Sequence, residues 1–582
     1  MNIRTHQSTG TLNPFAVPRQ FSDASVSAWA ESLPLANREF SVRALLAIIR
    51  ELNRKEHIPC GERFVILERL RPTAEMLNQQ CVDTHLTDAA FPLSQSAQRV
   101  ANRCFLLALE TAHGYRRIAM HRDFSLDATM DDRVRAVVIY RSLQAYGQAL
   151  LRVTECYQPS PQNFWRSIYE LYQLGEAHGL LSTPLSNLAP EEGERTIGDI
   201  FTAIALFSLA CANRHRPREV RQLYALINYF SNFAEMRRTA VSSDQSAQFV
   251  IDLRSDRGPY RIAASSGEVT DAFRFLYTRG FINHLLERST GGATGRQGVS
   301  FGLSAGVIKR LVRALGATPE RRKSNRLDER GERVVIIGLK HMIELLWRGR
   351  PVAPLSPESA AVQYKGVKWL SVPDLSLEHL PADRIGSVQR GNRNEIAIGA
   401  MMSERKRILS REEIWGDQRI AGPDGGVDIS QGSVETINAS ARGYCLLWTN
   451  KIAACLRVGE LLGFPTQTGV LHIGVVRWLN QIIDGGLMLG VEMLAPRTQA
   501  VRLSVGGRST AMQMALFVPA DKRLSHNAAI LVQPAHFDVG EALTVEAAGV
   551  SHSYRIERLL ESSPSFQHFA LVEDTEVPVT LS

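Results

Sequence analysis

No stretch of this 582-residue chain approaches the roughly 20 uninterrupted apolar residues that a bilayer-crossing helix requires. A spanning helix is therefore not expected. The opening MNIRTHQSTGTLNPFAVPRQ lacks the apolar core of a secretory signal and reads as a polar, flexible tail. The seven cysteines (60, 81, 104, 156, 211, 445 and 455) are odd in number, dispersed and without a C-x-x-C pair. That pattern weighs against a disulfide frame or a zinc site and favours reduced, mostly buried thiols in a cytoplasmic protein. The fifteen histidines show no H-E-x-x-H spacing, so no metal and no other cofactor is expected. The glycines of GGATGRQG, 291–298, are not followed by the Lys-Ser/Thr of a phosphate-binding loop and read as a linker. No paired acid and base or nucleophile triad emerges, and an enzyme is not expected.

What is present points to a folded, multidomain chain. Apolar residues make up 44% and charged residues 22%, close to globular averages, and the length exceeds what one core supports. From about 21 to 290 apolar residues recur at helical spacing, as in LANREFSVRALLAIIRELNR and DDRVRAVVIYRSLQAYGQALLRV. This predicts an all-α domain, with DAFRFLYTRGFINHLLER as one of its helices and QFVIDLRSDRGPY as a short strand before it. Trp165, Tyr169 and Tyr172 fall at i, i+4 and i+7, which predicts core packing.

The net charge of +8 is concentrated between 307 and 333, where nine Lys or Arg meet four acids. Such a segment suits a solvated helix end, a phosphate site or, in a different class of function, a nucleic-acid contact; the interspersed acids and the lack of an aromatic weigh against the last. Val334 to Ile337 are β-branched without a break and predict a buried strand, so 291–350 reads as a basic connector plus one strand. Residues 351–430 read as a polar insertion or linker. From 431 to 500 short apolar strands predict a small antiparallel barrel, and 501–582 a further β-rich domain. The fold class is thus α+β and multidomain.

Between two of these strands lies NASARG, 438–443, which alone would be an ordinary turn. With the following RVGELLGF, then VVRW at 475–478 and GVEML at 490–494, it resembles the PilZ domain of bacterial cyclic di-GMP receptors. The resemblance implies that Asn438, Ser440 and Gly443, with Arg442 beside them, face cyclic di-GMP. It also implies an R-x-x-x-R pair ahead of the barrel. Arg322 with Arg326 is the preferred pair, because a strand-like run follows it; Arg407 with Arg411 is the alternative. An Arg fork can hold phosphate oxygens or a guanine edge bidentately. The implied role is a receptor or adaptor whose helical region engages an unidentified protein partner in pilus function, motility or surface attachment. Recruitment to the cell pole or to the inner membrane face would come through that partner. The alternative is a barrel that binds proteins and no nucleotide.

Overall fold

The computed structural model describes residues 18, 21–125, 130–186, 194–239, 248–261, 271–290, 301–316, 331–347, 431–440, 442–448, 456–466, 470–482, 486–505, 513–520, 527–535, 537–547 and 550–574. These fall into two compact units, 21–89 with 95–316 and 90–94 with 331–574.

The first unit contains α1 (Asp23–Glu31), α2 (Arg38–Arg54), α3 (Cys60–His85), α4 (Gln95–Ala119), α5 (Asp132–Glu155), α6 (Phe164–Ala177), α7 (Ile197–Leu209), α8 (Pro217–Phe230), α9 (Arg279–Thr290) and α10 (Ala305–Leu315). Their starts follow from local chemistry. Ser22, Asn37, Asp131, Thr196 and Ser304 each accept a hydrogen bond from a first-turn N–H, and Asp199 reaches back to the Thr196 N–H. The predicted apolar stripe of α2 is the buried one: Leu45, Ile48 and Leu52 are fully enclosed. Trp165, Tyr169 and Tyr172 lie in the core, with Tyr172 stacked on Phe201 at 4.0 Å.

This region is not helical throughout. Strands β1 (Glu235–Arg237), β2 (Gln248–Asp252), β3 (Tyr260–Arg261) and β4 (Phe273–Tyr277) form an antiparallel sheet in the order β1-β4-β2-β3. The segment expected as one helix from Asp271 to Arg288 therefore begins as a strand. Phe275 and Tyr277 pack with Val250, against Tyr260 and Phe273. Ladder partners on both sides, and aromatics at alternate positions, override the helical spacing. The helix starts only at Arg279.

In the second unit, β5 (Gly331–Ile337) turns at Gly338, φ 87°, into α11 (Leu339–Trp347). It then joins β6 (Gln431–Ser440), β7 (Gly443–Trp448), β8 (Leu461–Pro465), β9 (Leu471–Gln481) and β10 (Leu487–Ala495) in a closed barrel of order β10-β7-β6-β5-β8-β9. A second closed barrel, β11-β12-β13-β16-β15-β14, is made by β11 (Gln499–Val505), β12 (Gln513–Val518), β13 (Ala529–Val532), β14 (Ala542–Ala547), β15 (Val550–Ser562) and β16 (Gln567–Glu573). Closure leaves neither sheet with a free edge.

A buried apolar cluster joins the two barrels, while the second barrel keeps a core of its own around Val501, Ala515, Ile530 and Leu571. Met342 and Ile343 of α11, Leu471 and Ile473 of β9, Leu516 of β12, Leu531 of β13 and Phe566 belong to a single buried cluster. Beside it, Arg477 donates from Nε to Glu492 at 2.6 Å in its own barrel and from its terminal nitrogens to Glu561 on β15. Burial alone would lower the guanidinium pKa; the two carboxylates outweigh it and hold the group above its ordinary value.

Candidate ligand-binding face

A bulge decides which way the Asn and Ser of the hairpin point. In β6, Val434 and Thr436 face the barrel interior, and strict alternation would send residues 438 and 440 inward as well. The register with β7 shifts between Thr436 and Asn438, leaving Ile437 as the extra residue. Ala439 becomes the next buried residue, while Asn438 and Ser440 stand half-exposed on the outer surface.

The turn itself is built by Ser440. Its hydroxyl accepts from the Arg442 N–H at 3.4 Å and donates to the Gly443 carbonyl at 3.3 Å. The Arg442 carbonyl in turn accepts from the Met493 N–H at 2.8 Å, tying the hairpin tip to β10. Gly443 owes its place to crowding and not to a left-handed backbone: a Cβ there would lie 2.0 Å from the Val491 carbonyl oxygen. Asn438, Ser440, Arg442 and Gly443 are thus brought together at one end of β6 and β7, as expected. Arg322, Arg326, Arg407 and Arg411 lie outside the described residues.

The register extends this face across four strands. Asn438 pairs with Cys445, Cys445 with Gly490, and Gly490 with Trp478. A Cβ at Gly490 would fall 2.0 Å from the Trp478 indole nitrogen, so the glycine is the bed on which the indole lies. The outer floor beside Asn438 is therefore a small thiol, a bare backbone and an aromatic plane. Trp478 was visible in VVRW, but only the register places it in the same row as Asn438.

Inside the barrel, Arg333 of β5 donates from Nε to Thr436 at 3.0 Å and lies 4.9 Å from the centre of the Tyr444 ring. Burial, with Arg333 nearby, lowers the pKa of His472. Nothing in the spacing of the sequence marked Arg333 as an interior cation. Because Gly331 pairs with Thr436, the chain enters β5 beside the Asn438 end of β6. By contrast β6 begins at Gln431, seven residues before Asn438, or roughly 23 Å of strand.

Three family models match this chain in succession. They are described as the N-terminal domain of the cyclic-di-GMP receptor FimW at residues 24–240, its middle PilZ domain at 394–500, and its C-terminal β-barrel domain at 499–573. The chain belongs to the PilZ-domain family. A Pseudomonas aeruginosa protein described as cyclic-di-GMP receptor FimW is 24% identical over 589 residues, spanning 98% of this chain and 94% of that protein. No solved structure matches. The PilZ match includes Arg407 and Arg411 but begins after β5, the strand that completes the PilZ barrel. Among the described residues no helix is long and apolar enough to cross a membrane.

Proposed function

We propose that this protein is a cyclic di-GMP receptor whose ligand lies on the outer PilZ face formed by Asn438, Ser440, Arg442 and Gly443, clamped by Arg322 and Arg326. The observation that carries the choice of clamp is the β5 register. Arg326 and Arg322 precede Gly331 by five and nine residues, so about 17 to 30 Å of chain starts next to the hairpin. Arg407 and Arg411 lead instead into the far end of β6 and would have to return along its length. A second R-x-x-x-R, Arg326 to Arg330, overlaps the first and ends one residue before β5. Asn438 supplies donors and acceptors for a base edge, Trp478 a stacking plane, and the arginines charge-assisted bonds to phosphate.

The receptor acts as an adaptor and not as an enzyme: ligand occupancy at the PilZ barrel is passed to a protein partner of the helical unit. The process served is surface attachment, type IV pilus function or motility, and the protein works in the cytoplasm or at the pole through that partner. Support for the receptor reading comes from the description of the similar Pseudomonas protein and from the preserved N-x-S-x-x-G hairpin. Isothermal titration of the full chain with cyclic di-GMP tests it. Saturable heat at micromolar protein is the expected result, and no heat removes the receptor role.

A further inference from the structure

Two cysteines that are far apart in sequence meet between α3 and α4. Asn78 of α3 donates from its amide to the Cys104 carbonyl at 2.8 Å, while the Cys104 thiol approaches the Asn78 carbonyl at 3.9 Å. Cys81 lies three residues after Asn78, on the same face of α3. Its thiol adjoins that of Cys104, closely enough for each to affect the ionisation of the other. Both are buried, at 1% and 0% exposure, and both are free.

Cys81 is served by an opening. An open cavity of about 620 Å³ is lined by Cys81 together with Arg38, Glu39, Thr84 and His85; Cys104 is not in its wall. The neighbouring Cys104 thiol lowers the Cys81 pKa, while Cys81 and burial raise that of Cys104 well above its ordinary value. The pair thus has one sulfur at the cavity wall and a buried partner behind it.

We propose that Cys81 and Cys104 form a dithiol oxidation site that takes hydrogen peroxide through the α2–α3 cavity and closes as a disulfide joining α3 to α4. The Cys81 thiolate attacks one peroxide oxygen, the O–O bond breaks, and the departing hydroxide takes a proton to leave as water. Cys81 is then a sulfenic acid. The Cys104 sulfur attacks the Cys81 sulfur, the S–O bond breaks, and the released hydroxide takes the Cys104 proton as a second water. Two thiols are oxidised by two electrons in total, and one peroxide is reduced to two waters. Arg38 and His85 at the cavity wall can hydrogen-bond the incoming peroxide. Such reversible disulfides are the kind found in reducing compartments.

The test uses the full chain and hydrogen peroxide at low molar excess, followed by digestion without reductant and mass spectrometry. The expected product is one cross-linked peptide pair, Cys81 to Cys104, lighter by two hydrogen atoms and restored by dithiothreitol. Cys156, whose pKa burial pushes up to about 12, stays reduced and serves as an internal control. In Cys104→Ser, Cys81 accumulates a dimedone-reactive sulfenic acid; in Cys81→Ser, Cys104 remains unmodified. Both thiols staying reduced while the half-exposed Cys445 oxidises would overturn the proposal, as would either one pairing with another cysteine. The wild-type measurement does not depend on the variants folding.

Discussion

At the scale of single residues, the hairpin separates folding from recognition. Gly443→Ala drives a methyl into the Val491 carbonyl, so β7 must move off β10. Urea unfolding should show a loss of about 1–3 kcal/mol or more, the usual cost of overpacking. Trp478→Ala acts differently, since the indole lies on the outside of the barrel over Gly490. Removing a stacking plane worth about 1–3 kcal/mol should weaken cyclic di-GMP binding roughly fivefold to 150-fold, with Trp478→Phe largely restoring it; unchanged affinity would take Trp478 out of the site. Arg322→Ala or Arg326→Ala should each lower affinity by about tenfold to 150-fold, a charge-assisted contact of about 1.5–3 kcal/mol, with the thermal midpoint unchanged. Arg407→Ala and Arg411→Ala should stay within about twofold. Calorimetry on the four variants decides, and loss at 407 and 411 alone would reverse the assignment.

At the scale of elements, α10 is held by chemistry that depends on pH. Arg310 donates to the buried His215 ring at 3.3 Å and lies 3.7 Å from Glu219, while the Leu315 carbonyl accepts from Thr278 at 2.7 Å. Burial drives the His215 pKa from 6.5 down to about 4, with Arg310 and Arg214 adding to it against Glu219. The ring is therefore neutral at pH 7 and accepts from Arg310. Because the unfolded chain takes up that proton first, stability from His215 is present above about pH 6.5 and is lost as pH falls toward 4. Glu155 runs the other way. It is fully buried between Arg152 and Arg221, at 2.8 and 2.9 Å, and desolvation outweighs both cations to raise its pKa from 4.5 to about 7. Its contribution is greatest below about pH 4.5 and declines as pH rises through 7. Unfolding midpoints between pH 4.5 and 6.5 should consequently diverge. His215→Gln should lose stability as pH rises relative to wild type, and Glu155→Gln should gain it; parallel curves would show that neither group is linked to folding.

Elements also mark where the sequence was readable. The capped helix α2 carries its period locally, the strands β9 and β12 their apolar runs, and both survive folding. The strand β4 did not, because its pairing with β1 and β2 is made across residues 235 to 277. The N-x-S-x-x-G spacing was legible as a motif. Its outward direction was not, since that depends on the extra residue Ile437 and the partner strand. Trp478 and Arg333 acquire their places only through register, which no single segment encodes.

At the scale of the whole molecule, the buried cluster between the two barrels couples their folding. Phe566 is completely enclosed among side chains of α11, β8, β9, β12 and β13. Phe566→Ala should cost about 3–5 kcal/mol. Hydrogen exchange should show amides of β8 and β9 deprotected together with those of β13 and β16. Protection lost from the second barrel alone would mean that the two melt separately.

Arg477 gives this union a second meaning. Glu492, which it binds, pairs in register with Gly443 of the hairpin, and its other partner, Glu561, belongs to the second barrel. The PilZ barrel therefore cannot be exchanged between proteins like a bead on a string. Transplanted alone, it would carry an apolar wall to cover and an arginine left with one carboxylate partner where it had two, one strand away from the turn that meets the ligand. Removing the second barrel is therefore expected to disturb the surface around Asn438 in the first.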